Sequence, residues 1–319
     1  MSAPALGLAP DARARGLVQV EPEVAAALAA GAPVVALEST IVTHGMPHPE
    51  NLATAREVEA IVRAAGAVPA TIAVLDGRIR VGLDGATLER LATARGVMKL
   101  SRADLAFAVS TGRPGATTVA ATMICAALAG IGVFATGGIG GVHRGAESSF
   151  DVSADLDELA RSPVLVVSAG AKAILDLPKT LEALETRGVP VVGFGTDDFP
   201  AFWSRSSGLR APLRLDDPED VARFVLAREA LGLSGGMLVA NPLPAGEEIP
   251  AGEIAGPIEA ALAEAAAARV AAKDVTPFLL ARVVAATGGR SLAVNRAIIR
   301  GNAALAARLA TALSAARRG

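Results

Sequence analysis

Lys172, Glu38 and Asp151 stand where a sequence of this kind most readily builds a reactive centre. Lys172 lies in the run VLVVSAGAKAILDL. There the stretch from Val164 to Val167 reads as a buried strand, Ser168-Ala169-Gly170 breaks it, and Ala171 onward reads as the start of a helix. The first turn of a helix carries partial positive charge and is a poor place for an ammonium, and apolar neighbours add desolvation. Both effects favour a neutral amine, which is a nucleophile able to form a Schiff base with a sugar carbonyl. The competing reading is a solvated lysine, or one that reaches Asp176 four residues on.

Glu38 ends the apolar run VVAL and is followed by Ser39-Thr40. A carboxyl group at the carboxyl end of a buried strand stands where open α/β sheets gather their ligands, and it could donate a proton there. It could equally cap a turn. Downstream, ATGGIGGVHRGAESSFDVSADLDEL places four glycines within five residues, followed by His143 and Arg144. Such a loop lets backbone N–H groups approach an anion, with the two basic residues adding charge beside it. It is not a dinucleotide fingerprint, because His143 stands where the third glycine is required. Asp151 could hold a hard divalent ion through oxygen, with water filling most of the shell. Ser153, just before an apolar-periodic stretch, reads as a helix cap. Lys99 and Arg102 read singly as ordinary surface charges. Asn295 and Asn302, seven residues apart, share one face of a C-terminal helix.

The elements that must position these residues alternate between strands and helices. PVVALEST reads as a strand, and the region from Pro49 to Ala65 carries apolar residues at helical spacing. ATIAVL and RIRVGL flank Asp76-Gly77, a hairpin signal. A helix from Thr117 to Ala129 and a strand GVFAT follow. VLVVSAG, VPVVGFG and GGMLVAN are further strands, and the chain reads as helical from Pro250 onward, with an alanine-rich stretch over 259–272. Strands that are apolar throughout imply a sheet covered on both faces. The expected fold is therefore α/β, a three-layer α/β/α sandwich around a mixed, mostly buried sheet. Residues 1–17 read as a flexible tail and 18–319 as one catalytic domain, since no linker interrupts them.

Composition narrows the function classes. The chain is 52% hydrophobic and 19% charged over 319 residues, enough to bury a large core. A net charge of −2 without a Lys/Arg stripe argues against nucleic acid as a partner. Cys125 is the one cysteine, in an apolar setting that suggests a buried structural thiol and a cytoplasmic, reducing location. From Pro114 to Val142 no residue is charged, long enough to span a bilayer. The glycines within it split the stretch, so a buried helix followed by a buried strand is the expectation, with no membrane association.

Taken together, ALESTIVTHGMPHPEN, GATTVAATM, FATGGIGGVHRGAE, FDVSADLDELA, SAGAKAILDLPKTLEALETRGVPVVG and VTPFLLARV resemble the pseudouridine-5′-phosphate glycosidase family, relatives of the indigoidine synthase A-like proteins. The resemblance runs, in order, from roughly residue 18 to residue 315. It implies reversible cleavage of the C–C bond of pseudouridine 5′-phosphate to uracil and ribose 5-phosphate. It implies Lys172 as the Schiff-base lysine, Glu38 as proton donor and Asp151 as ligand of Mn2+. It places substrate contacts at Lys99, Val119 and Ser153-Ala154-Asp155, to which His143 and Asn295 are added as phosphate or base contacts. A homotrimer is implied as well. The readings left in competition are a lysine-dependent lyase or aldolase acting on another phosphosugar, and a non-catalytic phosphosugar-binding accessory protein.

Overall fold

The computed structural model describes residues 16–270 and 275–318. Most of the tail expected over residues 1–17 lies outside the described residues. Leu17, at its end, already lends its carbonyl to the N–H of Ile79.

The strands, in chain order, are β1 (Val18–Val20), β2 (Val34–Leu37), β3 (Val68–Leu75), β4 (Arg78–Val81), β5 (Met98–Leu100), β6 (Gly115–Thr117), β7 (Val133–Ala135), β8 (Val142–His143), β9 (Leu165–Ser168), β10 (Leu175–Asp176), β11 (Val191–Phe194), β12 (Leu213–Leu215) and β13 (Met237–Ala240). The helices are α1 (Pro22–Ala29), α2 (Glu50–Ala64), α3 (Gly85–Thr93), α4 (Arg102–Thr111), α5 (Val119–Ala129), α6 (Ala146–Ser149), α7 (Ala154–Arg161), α8 (Leu177–Thr186), α9 (Pro218–Ala230), α10 (Ala251–Ala267), α11 (Val275–Ala286) and α12 (Arg290–Arg318).

Among the described residues, eleven strands form one sheet in the order β1-β4-β3-β2-β7-β9-β13-β11-β12, with β6 beside β3 and β5 beside β6. From β3 through β12 on that path every pairing is parallel. The β3–β4 hairpin and the β3–β6 pair are antiparallel, so the sheet is mixed, as expected. The hairpin turns at Asp76-Gly77, both at positive φ, which is what that dipeptide provides cheaply.

Alternate residues of each central strand point to opposite faces, and both faces are covered. Val34, Ala36, Phe134, Val166 and Leu238 meet one helical layer that includes α5 and α7. Val35, Leu37, Ala135, Val167 and Val239 meet α2, α9 and α12. This two-sided burial is why the strands read as unbroken apolar runs. The result is the three-layer sandwich. The uncharged stretch resolves into buried α5 followed by β7, and no helix among the described residues is long and apolar enough to cross a membrane. Cys125 is fully buried in α5, and desolvation pushes its thiol up to about 12, so it stays an inert thiol.

One feature of the connections places the site. After β2 the chain passes through α2 to β3 on one side, whereas after β7 it passes through α7 to β9 on the other. β2 and β7 are neighbours, so the direction of winding reverses between them. The carboxyl ends of such a strand pair leave a crevice that the connections do not fill.

Candidate active site

That crevice is a cavity of about 760 Å³. Glu38 enters it directly from the end of β2, and the buried Thr136, at the end of β7, stands behind Glu38. The Glu38 carboxylate accepts hydrogen bonds from the hydroxyls of Thr40 and Thr136, one to each oxygen. It is not a turn cap. Its orientation is fixed from two sides while it still lines the cavity.

Lys172 is also at the cavity wall, half-buried, and its Nζ donates to the carbonyl of Gly138 at 2.8 Å. Gly137 alone therefore separates the partner of Glu38, Thr136, from the partner of Lys172, Gly138. The helix expected from Ala171 does not form: α8 begins only at Leu177, with Asp176 as its cap. The segment instead makes a bridge from Ala171 to Ile139, turns at Ala173-Ile174, where the Leu175 N–H returns to the Lys172 carbonyl, and then pairs β10 with β8. The helix-terminus argument for Lys172 thus fails. Asp176 is not its partner either, since Asp176 caps the N–H of Lys179 and pairs with the Lys179 ammonium at 2.9 Å.

The glycine run serves packing more than anion binding. A Cβ at Gly138 would stand 2.6 Å from the Phe202 ring, one at Gly140 would stand 2.2 Å from Ser153 Oγ, and one at Gly141 would stand 2.4 Å from Thr180 Oγ1. The Ile139 and Gly140 N–H groups are already used, on the Gly170 carbonyl and the Asp155 carboxylate. Arg144 does not line the cavity and reaches the Ala173 carbonyl instead. His143 does line it, but burial lowers its pKa, with Lys172 and Lys99 adding to the effect and Asp151 opposing it. The extra positive charge expected beside the loop is therefore missing near neutral pH.

Asp155 is buried and bridges two elements, accepting from the N–H of Ala120 at 2.9 Å and of Gly140 at 2.8 Å. It ties the first turn of α5 to the glycine loop. Ser153 caps α7, as its sequence context suggested, its Oγ accepting from the Asp155 N–H. Thr118 caps α5, so the amino-terminal turns of both helices open on the cavity, bringing Val119, Ser153, Ala154 and Asp155 to its lining. Lys99, on β5, is close enough to His143 to act on it electrostatically. Arg102 is no ordinary surface charge: its guanidinium grips the buried Glu158 carboxylate with two bonds, at 2.7 and 2.9 Å.

Asp151 presents a carboxylate to the cavity, one-third exposed, 3.8 Å from His143 Nδ1. Among the described residues no group of three His, Cys, Asp or Glu gathers anywhere. This donor set does not make a closed protein cage. It fits a hard cation that keeps most of its own water.

Of the two asparagines, Asn295 lines the cavity and Asn302 does not. Asn302 is buried and donates to the carbonyls of Thr136 and Gly137, bracing the loop from behind. No role was assigned from sequence to Thr40, Thr136, Phe202 or the wall formed by Thr276, Pro277, Leu280, Ala281 and Val284 of α11. Thr136 had a signal, since it follows a buried strand just as Glu38 does. The α11 wall falls largely in VTPFLLARV, which entered only as part of the family resemblance.

Residues 23–312 match the family described as Indigoidine synthase A like protein. The chain belongs to that family. Its relatives include pseudouridine-5′-phosphate glycosidases from Methylobacterium nodulans, 67% identical with 94% of this chain and 89% of the relative covered, and from Paracoccus denitrificans, 65% identical with 93% and 99% covered. Among solved structures, the prealnumycin C-glycosynthase AlnA in complex with ribulose 5-phosphate superposes with a TM-score of 0.88 at 39% identity, covering 95% of this chain and 98% of that one. An indigoidine synthase A-like protein from Thermotoga maritima superposes at 0.85 and 37% identity, covering 93% and 97%. The two solved structures thus share the fold of this chain.

Proposed function

We infer that this chain is a pseudouridine-5′-phosphate glycosidase, which cleaves reversibly the C–C bond joining uracil to ribose 5-phosphate. The observation that carries this reading is that Thr136 and Gly138 hold the Glu38 carboxylate and the Lys172 amine at one cavity wall, in a chain whose relatives bear that name.

Ordinary glycosidases expel a heteroatom leaving group with two carboxylates. A carbon leaving group is harder to expel, and the lysine offers another route. Glu38 gives its proton to the ribose ring oxygen as the ring opens. The unprotonated Lys172 Nζ bonds to C1′ as the C1′–O4′ bond breaks, and loss of a proton from nitrogen leaves an open-chain secondary amine that still carries the base. The base takes up a proton at C5, and the nitrogen lone pair then forms the C1′=N bond of a cationic imine while the C1′–C5 electrons return to the ring, which leaves as uracil. Water then hydrolyses the imine, freeing ribose 5-phosphate and the lysine.

The 5′-phosphate would lie toward the amino-terminal turns of α5 and α7, where the helix dipoles favour an anion and Lys99 adds charge, although the N–H groups of Ala120, Ala121 and Asp155 are already taken. In this reading those turns bring Val119 and Ala154, which lack polar side chains, to the substrate. Asp151 would hold the divalent ion, Mn2+ in this reading, which would supply positive charge beside the substrate. A homotrimer and a cytoplasmic location belong to the same proposal, and the inert Cys125 is compatible with a reducing compartment.

A lysine-dependent lyase acting on another phosphosugar is the second reading, favoured by the likeness to a C-glycosynthase bound to ribulose 5-phosphate. Uracil release separates the two. Incubation with pseudouridine 5′-phosphate should yield uracil and ribose 5-phosphate in equal amounts; no uracil would leave the second reading standing.

A further inference from the structure

Phe202 and the α11–α12 residues Pro277, Leu280, Val284 and Leu292 give the cavity an apolar wall. Asn295, half-buried on α12, brings an amide into it. Behind Asn295 lies Trp203, fully buried, whose Nε1–H donates to Asn295 Oδ1 at 2.7 Å. An indole N–H donates and cannot accept. Turning the amide over would set its NH2 against that N–H, losing the bond and leaving two donors face to face. The orientation of Asn295 is therefore dictated by Trp203. Trp203 is itself held, its ring edge-on to Phe202 at 5.2 Å between centroids and its carbonyl accepting from the Ile249 N–H.

The other end of the amide, Nδ2, has no partner among the described residues. Among those residues no enclosed side-chain polar atom lacks a partner, so Nδ2 must open to the cavity. An apolar slot with a fixed N–H donor suits a flat ring that presents a carbonyl.

We propose that Trp203 is a positioning residue that sets the specificity of the leaving-base subsite. Through Asn295 it presents a fixed donor, which selects a ring bearing a carbonyl over one bearing an amino group. The inference rests on the glycosidase reading of the site. An amino group there would meet a second donor, and a site built around one hydrogen-bond polarity rejects the wrong partner strongly.

The test compares kcat/KM for pseudouridine 5′-phosphate with that for analogues in which each ring carbonyl, in turn, is replaced by an amino group. The wild-type chain should prefer the natural ring over one analogue by about tenfold or more. Trp203→Phe keeps the aromatic bulk and removes the N–H, and should bring that ratio within about threefold. Asn295→Asp can still accept from Trp203 and offers an acceptor to the cavity, so it should reverse the preference. Borohydride trapping with ribose 5-phosphate, which lacks the base, should proceed in Trp203→Phe at close to the wild-type yield, because Trp203 does not line the cavity.

A Trp203→Phe protein that traps ribose 5-phosphate normally and keeps the wild-type ratio overturns the inference. Should Trp203→Phe fail to trap, Asn295→Asp decides, and an unreversed preference overturns it. If the wild-type chain releases no uracil at all, the glycosidase reading falls and this inference with it.

Discussion

The hydroxyl of Thr136 donates to the carboxylate of Glu38, joining the end of β7 to the end of β2 at the place where the winding of the sheet reverses. Thr40 holds the other carboxylate oxygen. A proton donor must stay within reach of one substrate oxygen, and two hydroxyls from different elements fix its plane. Glu38→Gln should lower kcat by about 10²- to 10⁴-fold, the usual contribution of a general acid. Thr136→Val should lower kcat/KM by about tenfold, through looser positioning. Steady-state uracil release, with circular dichroism as a control for folding, checks both.

Gly138 joins the Lys172 Nζ to the Phe202 ring, accepting from the first and leaving no room for a side chain against the second. Gly138→Ala forces the ring or the loop to move. We expect a stability loss of about 1–3 kcal/mol, as for other overpacked sites, together with a fall in kcat. Denaturant unfolding and turnover measured on the same protein would show the two effects together. A variant altered in neither would mean that the Gly138 carbonyl does not position Lys172.

Asp151→Asn removes the carboxylate proposed to hold a divalent ion; the other cavity carboxylates, Glu38 and Asp155, are engaged by Thr40 and Thr136 and by the N–H groups of Ala120 and Gly140. If Mn2+ acts there, the variant should bind it at least about tenfold more weakly by calorimetry, with Tm in metal-free buffer close to wild type. Unchanged binding would place the ion elsewhere.

Glu59, most of the way buried on α2, accepts from the Thr71 hydroxyl at 2.6 Å. Its pKa is raised, chiefly by desolvation, with the Thr71 bond and two arginines opposing. A carboxyl whose pKa is higher folded than unfolded favours the folded state below its unfolded value, 4.5, and loses that contribution as pH rises through the folded value. At pH about 7.5 it is therefore a burden. Glu59→Gln keeps an acceptor for Thr71 and should raise Tm by about 1–3 °C there, with the gain shrinking toward pH about 4. Calorimetric scans at the two pH values would read this directly.

The layered fold was legible because β2, β7, β9 and β13 are buried on both faces and so appear as unbroken apolar runs. Glu38 was legible for the same reason, as the first charged residue after such a run. The surroundings of Lys172 were not. Ala171 and Ile174 follow a strand break in a pattern that suits a helix, yet the segment makes only a turn, because Ile139 and β8 offer strand partners on either side of it from a loop some thirty residues away. The glycine loop misled in a related way. Glycines that admit a phosphate and glycines that admit Phe202, Ser153 and Thr180 look alike until the neighbours are known. Arg102 read as a surface charge because its partner, Glu158, lies on another helix. The α11 wall faces the site only through tertiary packing, which no local pattern announces.

The central claim is that Lys172 forms the covalent bond to the sugar. Incubating the protein with pseudouridine 5′-phosphate, reducing with borohydride and mapping the modified peptide by mass spectrometry tests it most directly. The account predicts a reduced ribose 5-phosphate adduct on Lys172, absent in Lys172→Ala, which should also release no uracil. An adduct on another lysine, or uracil released at the wild-type rate by Lys172→Ala, would contradict it.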